Sequence, residues 1–147
     1  MLFRSPDAVQ EYGVTNRHLV DGLRDRGAEV TTVPVYRWAL PVDVGPLRRA
    51  AAEVAGGRVD VVLFTTATQV MHLLEVARQL GIEPDVRRGF GTAAIASIGP
   101  TTSEELREQH VMVDIEPAHP KMGFLVRAAA ERADDVLRTK RGGAAVG

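Results

Sequence analysis

Apolar positions recur along this chain in two rhythms, and the rhythms alternate. Leu19, Val20 and Leu23 form a stripe at helical spacing. That predicts a helix over residues 16–26, with Asn16 as N-cap and Gly27 as stop. Residues 29–38 carry β-branched Val30, Thr31, Thr32, Val33 and Val35 and read as a strand, with Pro34 suited to an edge or exit. Pro41 and Gly45 mark a linker over residues 39–45. A helix is predicted over residues 46–55, opened by proline and stopped by Gly56-Gly57. Residues 59–64 are almost wholly apolar, the pattern of a strand buried on both faces.

The alternation continues to the far end. Val70, Leu73, Leu74 and Ala77 share one face of a helix predicted over residues 68–80 and closed by Gly81. Residues 82–91 are polar and read as irregular or a short helix. Residues 93–98 are a second buried strand, 103–109 a short helix, and 111–115 a further strand. A last helix is predicted over residues 123–137, with Leu125, Val126, Ala129, Ala130 and Ala133 facing inward. Residues 139–147 are basic and then small, and read as a flexible tail.

Strand and helix in alternation imply an α/β fold, a parallel sheet with helices on both faces. The strands are few for a complete doubly wound sheet, so an incomplete one is expected. Met1-Leu2-Phe3-Arg4-Ser5 is not continuous in pattern with the residues after it, and Leu-Phe-Arg-Ser matches one reading frame of a common sequencing-adapter end. The native reading is expected to begin near Pro6 or Asp7, in a gene cut at its 5′ end.

Composition narrows the function. The 147 residues are 45% hydrophobic and 25% charged, an ordinary globular balance. Eighteen basic and nineteen acidic residues give a net charge of -1, which supplies no basic field for nucleic acid. No cysteine is present, which excludes disulfides, thiolate metal sites and a cysteine nucleophile, and fits a cytoplasmic location. No apolar run approaches a membrane span. His18, His72, His110 and His119 lack metal-ligand spacing and read as surface residues.

In open parallel sheets, ligands sit where the carboxyl ends of strands turn into helix N-termini. Those N-termini present unpaired N–H groups and a positive dipole end, which suit anions. Two turns here are rich in hydroxyls at that position. One is Phe64-Thr65-Thr66-Ala67-Thr68; the other is Ile98-Gly99-Pro100-Thr101-Thr102. The plain alternative is helix capping: Thr102 with Glu105, or Thr101 with Glu104, has capping-box spacing. Tyr36 closes the 29–38 strand and could donate a proton to a leaving group, or simply pack beside Trp38. Gly89-Phe90-Gly91-Thr92-Ala93-Ala94 matches a loose GxGxxA pattern but precedes a strand, so it lacks the dinucleotide context. Lys121 could meet a carboxylate, though a solvated lysine is the simpler state.

Three segments together resemble the uroporphyrinogen-III synthase family. They are Leu23-Arg24-Asp25-Arg26-Gly27-Ala28-Glu29-Val30 leading to Val33-Pro34-Val35-Tyr36-Arg37; Val59-Asp60-Val61-Val62-Leu63-Phe64-Thr65-Thr66; and Ala96-Ser97-Ile98-Gly99-Pro100-Thr101-Thr102 followed by Leu106 and Val113-Asp114-Ile115-Glu116-Pro117. The resemblance implies two similar α/β domains joined by a two-stranded linker, with the active site in the cleft between them. Residues 6–38 would then end the middle domain and supply the return strand, and residues 39–138 would be the C-terminal part of the other domain. It implies closure of the linear tetrapyrrole hydroxymethylbilane to uroporphyrinogen III, with inversion of the last ring and loss of water. It implies no cofactor and a full-length monomer. By this resemblance Tyr36 assists departure of the hydroxyl. Thr65, Thr66, Ala67, Thr68, Gly99, Pro100, Thr101 and Thr102 hold the substrate's carboxylates, with Thr66 standing where serine is usual. A non-catalytic module of the same fold, fused to a DNA-binding domain, is the competing expectation. A receiver-like or flavodoxin-like domain is disfavoured, since no acidic cluster or phosphate loop stands at the strand ends.

Overall fold

A computed structural model describes residues 17–31 and 39–143. Tyr36, Trp38 and most of the strand expected over residues 29–38 lie outside the described residues. Contacts divide the chain into two units, Met1–Pro41 and Val42–Gly147.

In the first unit, α1 spans Arg17–Asp25, close to its expected bounds. Ala28 N donates to Leu23 O at 3.0 Å and Gly27 N to Arg24 O at 2.8 Å. That pair of bonds is a Schellman end, which satisfies the last carbonyls of the helix.

The second unit is built from α2 (Gly45–Ala55), β1 (Val61–Phe64), α3 (Ala67–Gln79), α4 (Glu83–Thr92), β2 (Ala94–Ser97), α5 (Pro100–Glu108) and α6 (Met122–Gly142). β1 and β2 pair in parallel, Val61 opposite Ala94 and Phe64 opposite Ser97. The further strand expected over residues 111–115 contributes a single parallel bridge, Ile115 to Ala96. Asp114 N and Ile115 N both donate to Ile95 O, which ends regular pairing there.

Alternation along the strands divides the core in two. Phe64 and Ile95 face α2, α3, α4 and α5 and pack with Val54, Val70, Leu74, Val86, Phe90 and Leu106. Ala94, Ala96 and Ile115 face the other way and pack on Leu125, Ala129 and Ala133 of α6. Helices therefore cover both faces of the sheet, and the fold is α/β. Leu63 of β1 is 41% exposed, so α6 leaves that corner of its face uncovered.

Of the two readings open for residues 82–91, irregular or a short helix, the helix forms, as α4. Three sequence expectations are corrected. Helix α5 begins at Pro100 rather than Ser103, because proline's fixed φ suits a first turn. Val126 and Ala130 point to solvent; the inward stripe of α6 is Leu125, Ala129 and Ala133, one residue every four. Residues 139–142, expected as tail, are the last turn of α6. Lys140 holds that turn down: its Nζ donates to Asp114 Oδ2 at 2.6 Å, Ala93 O at 2.8 Å and Phe90 O at 3.1 Å. Arg141 adds bonds to Asp60 Oδ1 and Thr92 O.

Candidate functional site

Parallel pairing in register brings the ends of β1 and β2 to one edge, so the two hydroxyl-rich turns lie side by side. Ile98 N donates to Phe64 O at 3.0 Å, which stitches the turns together at their bases. The chain after Ile115 leads into α6 at the same edge and adds a third turn, Glu116 to Lys121.

The first turn is a capped helix start. Thr66 is extended, at φ -147° and ψ 150°, and is the N-cap of α3. Its Oγ1 accepts from Gln69 N at 3.3 Å. Gln69 reaches back, its Oε1 accepting from Thr65 N at 2.8 Å and from the Thr65 hydroxyl at 3.2 Å. This is a variant of the capping box, shifted one residue outward. Thr66 and Gln69 have the S/T-x-x-E/Q spacing, a signal present in the sequence but less conspicuous than the threonine run around it. Thr66 is exposed and Thr65 half-buried, whereas Ala67 and Thr68 are buried.

The second turn is capped differently. Gly99 is the N-cap of α5, and no side chain caps this end. The capping boxes expected from Thr101 with Glu104 or Thr102 with Glu105 do not form, because both threonines already lie inside the first turn. Thr101 is exposed and Thr102 buried. The first N–H groups of α5 have no acceptor within the helix.

Beneath this turn lies a polar cluster that the sequence-based expectations do not include. Ser97 and Ser103 are completely buried, with their Oγ atoms 2.9 Å apart. The Ser97 hydroxyl donates to Gly99 O at 3.1 Å, and the Ser103 hydroxyl contacts Glu116 Oε2 of the third turn. A serine closing the apolar run Ala93-Ala94-Ile95-Ala96 is the available signal, since a polar group buried in a strand needs a partner.

The third turn packs closely over the second. A Cβ on Gly99 would stand 2.9 Å from Pro120 Cβ, so glycine permits this approach. His119 lies edge-on to Phe124, with ring centroids 5.0 Å apart. Lys121 is exposed and serves as N-cap of α6 without a side-chain capping bond. Of the histidines expected at the surface, His72 is half-buried instead, being on α3 beside its core stripe.

A groove of about 560 Å³ lies by the amino ends of the strands, away from these turns, lined in part by Arg87, Phe90, His110 and Lys140. Its cations are engaged already: Arg87 with Glu83 and Gln109 O, Lys140 with Asp114. Gly89 and Gly91 of the GxGxxA pattern lie within α4. A Cβ on Gly89 would stand 2.0 Å from Val54 O, so this glycine serves the crossing of α2 and α4. Among the described residues no group of three acidic or histidine side chains could hold a metal ion, and no helix is long and apolar enough to cross a membrane.

A parallel sheet with helices on both faces, and consecutive strand-to-helix turns gathered at one edge, defines an open α/β protein. A family model described as "Uroporphyrinogen-III synthase HemD" matches residues 8–127. The chain belongs to that family. It is 32% identical over 119 residues to "Uncharacterized protein YjjA" of Bacillus subtilis, covering 80% of this chain and 44% of that protein. It is also 32% identical over 111 residues to a Methanothermobacter thermautotrophicus protein named "Putative uroporphyrinogen-III synthase", covering 74% of this chain and 42% of that one. The chain thus spans less than half the length of these relatives. No solved structure matches it significantly.

Proposed function

We propose that this chain forms one wall of a uroporphyrinogen-III synthase site, which closes hydroxymethylbilane to uroporphyrinogen III with inversion of the last ring and loss of water. The observation that carries this reading is the pair of turns locked side by side by the Ile98-to-Phe64 bond, in a chain of this family. A linear tetrapyrrole bears acetate and propionate groups along its length. Two adjacent helix N-termini offer N–H groups and dipole ends for such carboxylates, exposed Thr66 and Thr101 add hydroxyls, and half-buried Thr65 is held in place by Gln69. Buried Ala67, Thr68, Gly99 and Thr102 would act through the backbone and the shape of the turns. Tyr36 is assigned to assisting departure of the hydroxyl.

The chemistry demands geometry more than reactivity. The hydroxyl leaves readily to give a stabilised cation, and the chain must then be held so that the substituted carbon of the last ring attacks. A second wall is therefore expected in the working enzyme, with residues 6–38 leading to it and residues 39–138 forming this wall. The test adds hydroxymethylbilane to the 147-residue chain and to the longest reading frame that contains it, then separates the uroporphyrinogen isomers. The longer protein is expected to give isomer III, and the 147-residue chain little or none. Only the spontaneous isomer I from the longer protein would overturn the proposal in favour of a non-catalytic module.

A further inference from the structure

The buried cluster under the second turn has no part in the proposed chemistry, yet it is built at some cost. Ser97 and Ser103 are sealed from solvent at the end of an apolar strand and on the first turns of α5. Burying hydroxyls there is unfavourable unless each is satisfied, and valine or alanine would fill such space more simply. Both are satisfied, and no described buried side-chain polar atom lacks a partner.

The direction of the contacts is informative. Glu116 Oε2 meets the Ser103 hydroxyl, Ser103 Oγ lies 2.9 Å from Ser97 Oγ, and the Ser97 hydroxyl donates to Gly99 O at 3.1 Å. Gly99 O also accepts the first bond of α5, from Ser103 N at 2.9 Å. A carboxylate from the third turn thus accepts from the Ser103 hydroxyl, while the Ser103 amide and the Ser97 hydroxyl both donate to the carbonyl that fixes the Gly99–Pro100 peptide plane. That plane sets where the next N–H groups, those of Thr101 and Thr102, are aimed. Pro120 over Gly99 closes the same connection from above.

We propose that Glu116 is a positioning residue, which through Ser103 orients the Gly99-Pro100-Thr101-Thr102 turn and couples it to the turn that carries Lys121. Glu116 does not touch the ligand in this scheme; it sets the donors that do. The inference rests on the proposed tetrapyrrole reading for the ligand, but the orientation of the turn can be measured without one. A structural glutamate alone would lower stability everywhere. A positioning glutamate moves the turn selectively and is rescued by an isostere that still accepts a hydrogen bond.

The test compares Glu116→Ala, Glu116→Gln and Ser103→Ala with the unaltered chain. Hydrogen exchange of the Ser103 amide, whose acceptor is Gly99 O, is read against that of Val70 inside α3. Binding is titrated with uroporphyrin III, an octacarboxylate of the proposed product class. Glu116→Ala and Ser103→Ala are expected to speed exchange of the amide at position 103 about tenfold relative to Val70 and to weaken porphyrin binding about tenfold, the loss of one charge-assisted hydrogen bond. Glu116→Gln is expected to restore both to within about threefold of the unaltered chain, since the amide oxygen still accepts. Equal acceleration at Ser103 and Val70 would overturn the proposal, because Glu116 would then serve global stability only. So would an unchanged Ser103 in Glu116→Ala. If Glu116→Ala fails to fold, a Glu116→Gln protein exchanging as the unaltered one, beside a selectively loosened Ser103→Ala, supports it, and any other pattern overturns it. Failure of the unaltered chain and of its longest reading frame to bind porphyrin would remove the ligand reading, while the exchange pattern would still decide the positioning claim.

Discussion

Thr66 shows how one side chain can serve stability and a site together. Its hydroxyl satisfies Gln69 N, one of the orphan donors that open α3, and it remains exposed at the sheet edge. Thr66→Ala should cost about 1 kcal/mol in chemical denaturation, with Thr66→Ser close to neutral. Glu83 gives a pH signature of a different kind. The Arg87 guanidinium hydrogen-bonded to it, with Arg78 beside it, holds its carboxyl below the ordinary glutamate range. The folded state thus favours the ionised form. Its contribution is present above the unfolded glutamate range and is lost as pH falls through the lowered folded value. Glu83→Gln should therefore destabilise at neutral pH by less than about 1 kcal/mol, since the pair is partly solvated, and the difference should vanish in acid, as read by urea midpoints across pH.

At the level of elements, the helix ends are written plainly in the sequence and the helix crossings are not. Gly27, Gly57 and Gly81 all stand in the left-handed region after their helices, where the sequence predicts the stops. α5 ends the same way on His110, at φ 58°, with Val111 N donating to Leu106 O. A histidine gives no glycine signal, so that stop is legible only from geometry. Gly89 is the reverse case: a glycine inside a helix, whose meaning is the closeness of Val54 O on α2. Gly89→Ala should force the two helices apart and cost about 1–3 kcal/mol or more, measured as a fall in the urea midpoint. A full strand over residues 111–115 is expected from their apolar pattern, yet one bridge forms, because pairing is decided by neighbours rather than by propensity.

Across the second unit, the sheet's two ends have different duties. Its carboxyl end gathers three turns, and its amino end is locked by a buried ion pair. Lys140 and Asp114 leave only 13% and 8% of their side chains exposed, and Asp114 Oδ2 also accepts from Ile95 N at 2.7 Å. Lys140→Met would leave that carboxylate buried without its cation. A loss of about 3 kcal/mol is expected, with fraying of the end of α6 visible as faster amide exchange there. The sequence pattern puts Lys140 in a tail, since it stands among basic and small residues with no apolar rhythm.

What the sequence determined by itself was the alternation of elements, the α/β class, the helix stops at glycine and the two hydroxyl-rich turns. Each of these depends on local periodicity or on the conformational freedom of single residues, which a chain carries without its neighbours. Only tertiary structure decided which of those turn threonines are exposed, that Ser97, Ser103 and Glu116 converge beneath one turn, and that Lys140 meets Asp114. These depend on residues 13 to 26 positions apart being brought together. Pairing across such distances is fixed by sheet register and helix packing, and no local pattern encodes it.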